Sequence, residues 1–254
     1  MDSYLFHNGR FLDPRRDELL DGIEVLVEGD RIKEVSDRPI KSSHAIRIDI
    51  GNGTLMPGLI DGHVHVFLSE VNLSALESVP LTLLAARATV CMRNMLMRGF
   101  TTVRDVGGAD HGIKAAAETG IVDAPRLFIA GMAVSQTGGH ADFRRKTQDR
   151  FECSCGSGVS YTARVADGVP EVIHAVRDEL RKGADLIKLM VSGGVASQSD
   201  PLESLQFRLD EIEAACEEAN RWRTYVAAHA YSAEAIKRAV GAGVRTIEHG
   251  NLID

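Results

Sequence analysis

The sequence predicts an α/β fold whose larger part is a barrel of parallel strands. Three observations lead there. From Pro57 onward, apolar runs alternate with segments of helical periodicity, the rhythm of a parallel sheet with crossover helices. Three of the later runs carry a lysine or histidine in apolar surroundings: Lys188 in Asp185-Leu186-Ile187-Lys188-Leu189-Met190-Val191, His229 in Tyr225-Val226-Ala227-Ala228-His229-Ala230, and His249 in Thr246-Ile247-Glu248-His249-Gly250. A buried parallel strand reads as nearly continuous apolar sequence, so such residues stand out. The first run, Gly58-Leu59-Ile60-Asp61-Gly62-His63-Val64-His65-Val66, carries two histidines one residue apart. Residues two apart on a strand share a face, so the two imidazoles stand side by side, which suits a transition metal. Six strands are counted in this series, whereas (β/α) barrels close with eight. Polar side chains on the first, fourth, fifth and sixth strands meet only across a closed barrel. The prediction is therefore a TIM-type (β/α) barrel with about six strands present, the front part of a longer protein, rather than an open sheet.

Residues 1–56 have a different rhythm of short alternating segments and turn signals. Asn8-Gly9, between Tyr4-Leu5-Phe6 and Arg10-Phe11-Leu12, is a hairpin signal. Glu28-Gly29-Asp30 separates Ile23-Glu24-Val25-Leu26-Val27 from Arg31-Ile32-Lys33-Glu34-Val35, a second hairpin, and Ala45-Ile46-Arg47-Ile48-Asp49 reads as a further strand. We expect a small antiparallel unit here, the N-terminal portion of a β-sandwich.

Over residues 57–254 the elements follow in turn. Leu84, Ala88, Cys91, Met92, Met95 and Leu96 fall at helical spacing, and Gly99 ends that helix before the strand Phe100-Thr101-Thr102-Val103-Arg104-Asp105-Val106. A short helix near residues 113–118 leads to the strand Arg126-Leu127-Phe128-Ile129-Ala130. Residues 132–168 read as one long loop, and long loops inside compact domains are often functional. Ile173, Val176 and Leu180 mark the next helix, before the Lys188 strand. Asp210, with Glu213 three residues on, reads as the cap of a helix striped by Ile212, Ala215, Cys216 and Ala219. Ser232 caps the helix after His229, and Gly241 and Gly243 end it.

Composition narrows the function. The 254 residues are 44% hydrophobic and 26% charged, with net charge −7, an ordinary globular make-up. The acidic balance argues against nucleic acid, whose phosphates need a basic face. No apolar run is long enough to span a bilayer. The opening Met1-Asp2-Ser3-Tyr4-Leu5-Phe6-His7 lacks the basic and apolar regions of a signal peptide. Four cysteines in a chain of this length suggest reduced thiols in a cytoplasmic protein rather than a disulfide scaffold. A homo-oligomer is compatible with all of this.

At these residues the sequence resembles the amidohydrolase superfamily of metal-dependent hydrolases. It is most similar to the branch of prolidase-like and related carboxypeptidase-like enzymes, with imidazolonepropionase a more distant relative. Met56-Pro57-Gly58-Leu59-Ile60-Asp61-Gly62-His63-Val64-His65 matches the family's opening motif. Ile187-Lys188-Leu189-Met190-Val191-Ser192-Gly193-Gly194 matches its lysine segment, and Ala228-His229-Ala230-Tyr231 and Ile247-Glu248-His249-Gly250 match its later histidine strands. Thr137-Gly138-Gly139-His140-Ala141-Asp142 resembles the substrate loop of the prolidase-like branch.

The resemblance implies a binuclear metal centre, usually zinc. His63 and His65 would hold the more buried ion and His229 and His249 the other. Lys188 would bridge both as a carbamate formed with carbon dioxide. An ammonium has no lone pair, but burial lowers its pKa and frees the amine to react. His140 would polarise the scissile carbonyl or bind the oxyanion, unless it only braces its own loop. Tyr231 would hydrogen-bond substrate, unless it only packs. The family also uses an aspartate after the eighth barrel strand. This sequence stops before that position, Asp254 does not match it, and little hydrolysis is expected of residues 1–254 alone. Asp105 reads as a residue that orients a ligand or loop. Cys153 and Cys155 read as a loop coincidence rather than half a zinc site. Arg144, Arg145, Lys146 and Arg150 read as a solvated face, with a grip on a substrate carboxylate as the alternative.

The functional expectation is metal-dependent hydrolysis of an amide bond in a small peptide-like substrate, a dipeptide or N-acyl amino acid. A cyclic amide is the second substrate class. A fragment that binds metal without turnover is the alternative from outside enzymology.

Overall fold

A computed structural model describes residues 2–16, 18–144, 146, 163–197 and 200–254. Arg145, Arg150, Cys153 and Cys155 lie outside the described residues. The chain forms two compact units, Met1–Gly58 and Leu59–Asp254. Among the described residues, no helix is long and apolar enough to cross a membrane.

The first unit holds β1 (Ser3–His7), β2 (Arg10–Leu12), β3 (Leu19–Asp21), β4 (Glu24–Glu28), β5 (Arg31–Ser36), β6 (Ile46–Asp49) and β7 (Thr54–Leu55). They make two sheets, ordered β5-β4-β1-β6 and β3-β2-β7. The β4–β5 hairpin forms as expected. Asn8-Gly9 is not a hairpin, because β1 and β2 enter different sheets. Nor is the unit purely antiparallel: β1 runs parallel to β6, and β2 parallel to β7. The two chain segments bend together. Asn8, at φ 59°, bonds Asp49 through its side-chain amide, and the amide N–H of Asn52 donates to the Asn8 carbonyl. Leu5, Leu26 and Ile40 form the small core.

The second unit begins with β8 (Leu59–Val64), a short 3-10 turn (Leu73–Ser78), α1 (Leu81–Met97), β9 (Phe100–Asp105), α2 (His111–Glu118) and β10 (Arg126–Ile129). It continues with β11 (Ala133–Ser135), β12 (Ala163–Val165), α3 (Gly168–Arg181), β13 (Ile187–Met190), α4 (Leu209–Arg221), β14 (Val226–Ser232), α5 (Ala233–Gly241) and β15 (Thr246–Leu252). The strands are parallel and lie in two sheets, β10-β9-β8 and β12-β11-β13-β14-β15. Eight strands are thus found among the described residues where six were counted. The extra two, β11 and β12, lie inside the stretch read as a loop. Each has three residues, too short to show a period. Gly131, at φ 68°, breaks the chain between β10 and β11; a side chain there would overlap the Glu179 carboxylate.

Alternation along the strands sorts the two faces. Ile187, Leu189 and Val191, with Val226, Ala228 and Ala230, pack with Val172, Val176, Ile212, Cys216 and Ile236 of the helices. Val64, Val103, Leu127 and Ile129 do the same with Leu84, Ala88, Met92 and Ile113. The intervening residues, among them Lys188 and His229, are left for the opposite face.

Helix α4 starts two residues earlier than expected. Its first turn is closed by Glu211, whose Oε2 accepts the Arg208 N–H at 2.6 Å, rather than by Asp210 and Glu213. Oε1 of the same carboxylate accepts the Gly168 N–H at 2.6 Å, at the start of α3. One buried carboxylate therefore serves two helix N-termini, where negative charge is favoured. Glu211→Ala orphans both donors, and a loss of about 2–3 kcal/mol is expected in urea unfolding.

Candidate metal centre and active site

The inner face gathers the histidines. Ring centroids lie 5.2 Å apart for His63 and His65, 4.7 Å for His63 and His249, 4.7 Å for His229 and His249, and 4.1 Å for His140 and His229. His63 lies in β8 and His65 one residue past its end, so the first strand supplies two rings. His229 comes from β14 and His249 from β15. Lys188 lies on β13 with 1% of its surface exposed.

His249 reaches this cluster through an exception to strand geometry. Glu248 and His249 are consecutive, and consecutive strand residues point to opposite faces. His249 takes φ 74°, a conformation uncommon for a residue with a Cβ. Beside it the β14–β15 register shifts between Ala230 and Ser232. Both Glu248 and His249 are thereby in contact with His63. Ala141 and Phe207, at φ 72° and 57°, add further left-handed residues beside the site; such strain persists only where surrounding structure enforces it.

Hydrogen bonds fix which ring nitrogen is free. His65 Nδ1 donates to the Gly107 carbonyl at 2.8 Å, His63 Nδ1 to Glu248 Oε2 at 2.7 Å, and His229 Nε2 to the Gly193 carbonyl at 3.1 Å. Carbonyls and carboxylates only accept, so in the neutral form of each ring the lone pair lies on the other nitrogen. Burial holds His65 at about 4, His229 at about 2 and His249 at about 4, all neutral near pH 7. Neutral, oriented imidazoles are what a divalent ion requires. Burial also lowers Lys188 to about 7, with Glu248 opposing. The Lys188 charge bears on His65, His140, His229 and His249 alike.

Among the described residues, no three His, Cys, Asp or Glu side chains form a ready-made metal cage. The donor set nevertheless fits a pair of cations. Four imidazoles come together, three of them held neutral by burial, and the buried Lys188 amine lies among them.

His140 sits in a tight bracket. Its N–H donates to Gln206 Oε1 at 2.7 Å, and its carbonyl accepts from Ser135 Oγ at 2.6 Å. Its ring stacks on His229 at 19°, with Nδ1 2.7 Å from Ser197 Oγ and 3.5 Å from Asp200. Ser197 in turn bonds Asp200. Burial lowers the His140 pKa and Asp200 opposes this. Tyr231 stacks on His249 at 5.2 Å and meets His229 edge-on at 4.9 Å.

Asp105 is fully buried, and its carboxylate accepts N–H bonds from Val66 at 2.7 Å, Gly107 at 3.0 Å and Ala109 at 3.2 Å. Burial raises its pKa to about 7 against these three donors. It ties the residue after His65 to the loop whose carbonyl orients His65. Arg144 is engaged by Asp142 at 2.6 and 2.5 Å, so it is not free for a substrate carboxylate.

Sequence reading missed Arg104, Glu248, Asp200, Ser197 and Gln206. Arg104 and Glu248 did carry a signal, since each is a charge within a predicted strand. The others lie in irregular segments without one.

The amidohydrolase family profile matches residues 54–254. The chain belongs to the amidohydrolase family. This family member is 55% identical to a crystal structure described as an amidohydrolase, with TM-score 0.95 over 99% of this chain and 62% of that one. It is 50% identical to a prolidase complexed with N-methylphosphonate-L-proline, TM-score 0.95, again over 99% and 62%. Ochratoxinase of Aspergillus niger is 33% identical over 229 residues, 85% of this chain and 46% of that protein. The chain thus spans about half to three-fifths of the length of these relatives.

Proposed function

We propose that the protein is a metal-dependent hydrolase of amide bonds in dipeptides or N-acyl amino acids, with a prolidase-like preference. The observation that carries this is the gathering of four histidine rings and a buried lysine on one face, in a chain 50% identical to a prolidase that binds a proline phosphonate. His63 and His65 would hold one divalent ion and His229 and His249 the other. Lys188 would bridge them after its neutral amine adds to carbon dioxide, forming an N–C bond and releasing a proton. Such ions, zinc by the usual preference of imidazole ligands, would supply Lewis acidity for a carbonyl and a lowered pKa for bound water.

The remaining roles belong to side chains. His140 Nδ1 faces Ser197 and Asp200, which leaves Nε2 for substrate. With a proton on Nε2 it would bind the carbonyl oxygen as negative charge develops. Tyr231, beside His229 and His249, would hydrogen-bond the same substrate. In the whole protein we propose that the parallel strands close into a (β/α) barrel. The partner is the small molecule alone, apart from copies of the chain itself. Free thiols at Cys91 and Cys216 suit a cytoplasmic setting.

The test is elemental analysis of the full-length protein with turnover on dipeptides, N-acyl amino acids and cyclic ureides. Two metal ions per chain and turnover of dipeptides ending in proline are expected. Activity confined to cyclic ureides would move the substrate class, and no metal would overturn the mechanism. His140→Ala is expected to lower kcat/KM by about 10²–10³-fold, the usual effect of removing one oxyanion donor, with metal content unchanged.

A further inference from the structure

We propose that Arg104 and Glu248 are a positioning pair that locks His63 in the Nδ1–H tautomer and so turns its Nε2 to the cation. The inference rests on the reading of His63 as a metal ligand. Glu248 is buried and spends both oxygens: Oε2 accepts from His63 Nδ1 at 2.7 Å, and Oε1 accepts from Arg104 Nη2 at 2.7 Å and Thr246 Oγ1 at 3.0 Å. Arg104 is held on the rest of its fork. Nε donates to the Gly62 carbonyl at 2.6 Å, and Nη1 to Tyr225 Oη at 3.1 Å and Thr246 Oγ1 at 3.2 Å. One guanidinium from β9 therefore touches β8, the residue before β14, and β15. It cannot rotate away, and it presents only donors to Glu248. Glu248 must then offer an acceptor on both sides, and a ring nitrogen facing an acceptor carries the proton. The chain of constraint runs from a fixed cation, through a carboxylate, to the choice of nitrogen that His63 leaves open.

This logic makes an unusual demand on Glu248→Gln. Its amide has one oxygen and one NH2. Arg104 claims the oxygen, so the NH2 turns to His63 and forces the opposite tautomer. In Glu248→Gln combined with Arg104→Met, the claim is removed and the amide oxygen is free to turn back. A pair with a purely structural role would make the double variant worse than the single one.

The experiment is nitrogen-15 NMR of the histidines in metal-free chain, together with cobalt titration. Wild type should show His63 protonated at Nδ1, Glu248→Gln at Nε2, and the double variant at Nδ1 again. Cobalt affinity should fall about 10–100-fold in the single variant, as is usual on losing a partner of a ligand, and recover in part in the double. An Nε2–H His63 in wild type overturns the proposal, and so does a Glu248→Gln variant with unchanged tautomer and cobalt affinity. Should a variant fail to fold, the wild-type spectrum decides: Nδ1–H supports the pair and Nε2–H removes it. A wild-type chain that binds no cobalt would sink the metal reading, while the tautomer series would still report on the pair.

Discussion

Lys188→Met is expected to lower kcat/KM of the full-length protein by at least about 10³-fold, about 4 kcal/mol of transition-state stabilisation. The substitution leaves the histidines in place and removes the side chain that, in the proposed mechanism, would bridge the two ions as a carbamate. Glu248 cannot substitute, because His63 and Arg104 already engage it. Metal content should fall with activity, from two ions per chain to one or none. Stability should not fall with them. Lys188 is 1% exposed, burying a charge is costly, and methionine is a flexible apolar side chain of similar length. The metal-free variant should therefore unfold in urea at least as late as metal-free wild type. A variant that keeps both ions and full turnover would remove the bridge from the mechanism. One that loses activity by unfolding would show Lys188 to be structural.

Asp105→Ala should be the most damaging change to stability, with an expected loss of about 3–5 kcal/mol. Its carboxylate is fully buried and takes three backbone N–H groups, from Val66, Gly107 and Ala109. All three bonds are buried, so deleting the acceptor leaves those donors without their partner. Asp105→Asn keeps the volume but turns an NH2 toward at least one of them, and an intermediate loss is expected. Urea unfolding measures both. A second effect separates this residue from an ordinary core position. The Gly107 carbonyl that orients His65 belongs to the same loop, so metal affinity should drop in Asp105→Asn even where the chain remains folded. Unchanged affinity in folded Asp105→Asn would confine its role to the fold.

What could be read in the sequence was what has a local signature. Lys188 and His229 stand out because a polar side chain interrupts an apolar strand, and the His63-Val64-His65 spacing needs only alternation. The helices announced themselves by period, and Ser232 by its capping chemistry, for its Oγ accepts the Ala235 N–H. The misses have physical causes. Asn8-Gly9 carries a hairpin's chemistry, but β1 pairs with β4 and β6 and β2 with β3 and β7, and no turn signal reports such pairing. β11 and β12 are shorter than a detectable period. The start of α4 was misplaced because Arg208 is not a usual cap; the carboxylate of Glu211 does the work from the third helical position. Glu248 and His249 are neighbours that a regular strand would point to opposite faces, and nothing in an amino-acid string announces the φ of 74° at His249. Asp200 and Gln206 act on His140 from more than fifty residues away, a relation only folding creates.

Gly194 carries a practical lesson. A methyl group at that position would overlap the His140 ring, so every other amino acid must displace the imidazole or the backbone beneath it. Saturation libraries built to retarget this protein should spare position 194 and spend their diversity at Tyr231, whose ring borders His229 and His249. Directed evolution that enriched a larger residue at 194 would show that His140 is dispensable for the selected reaction.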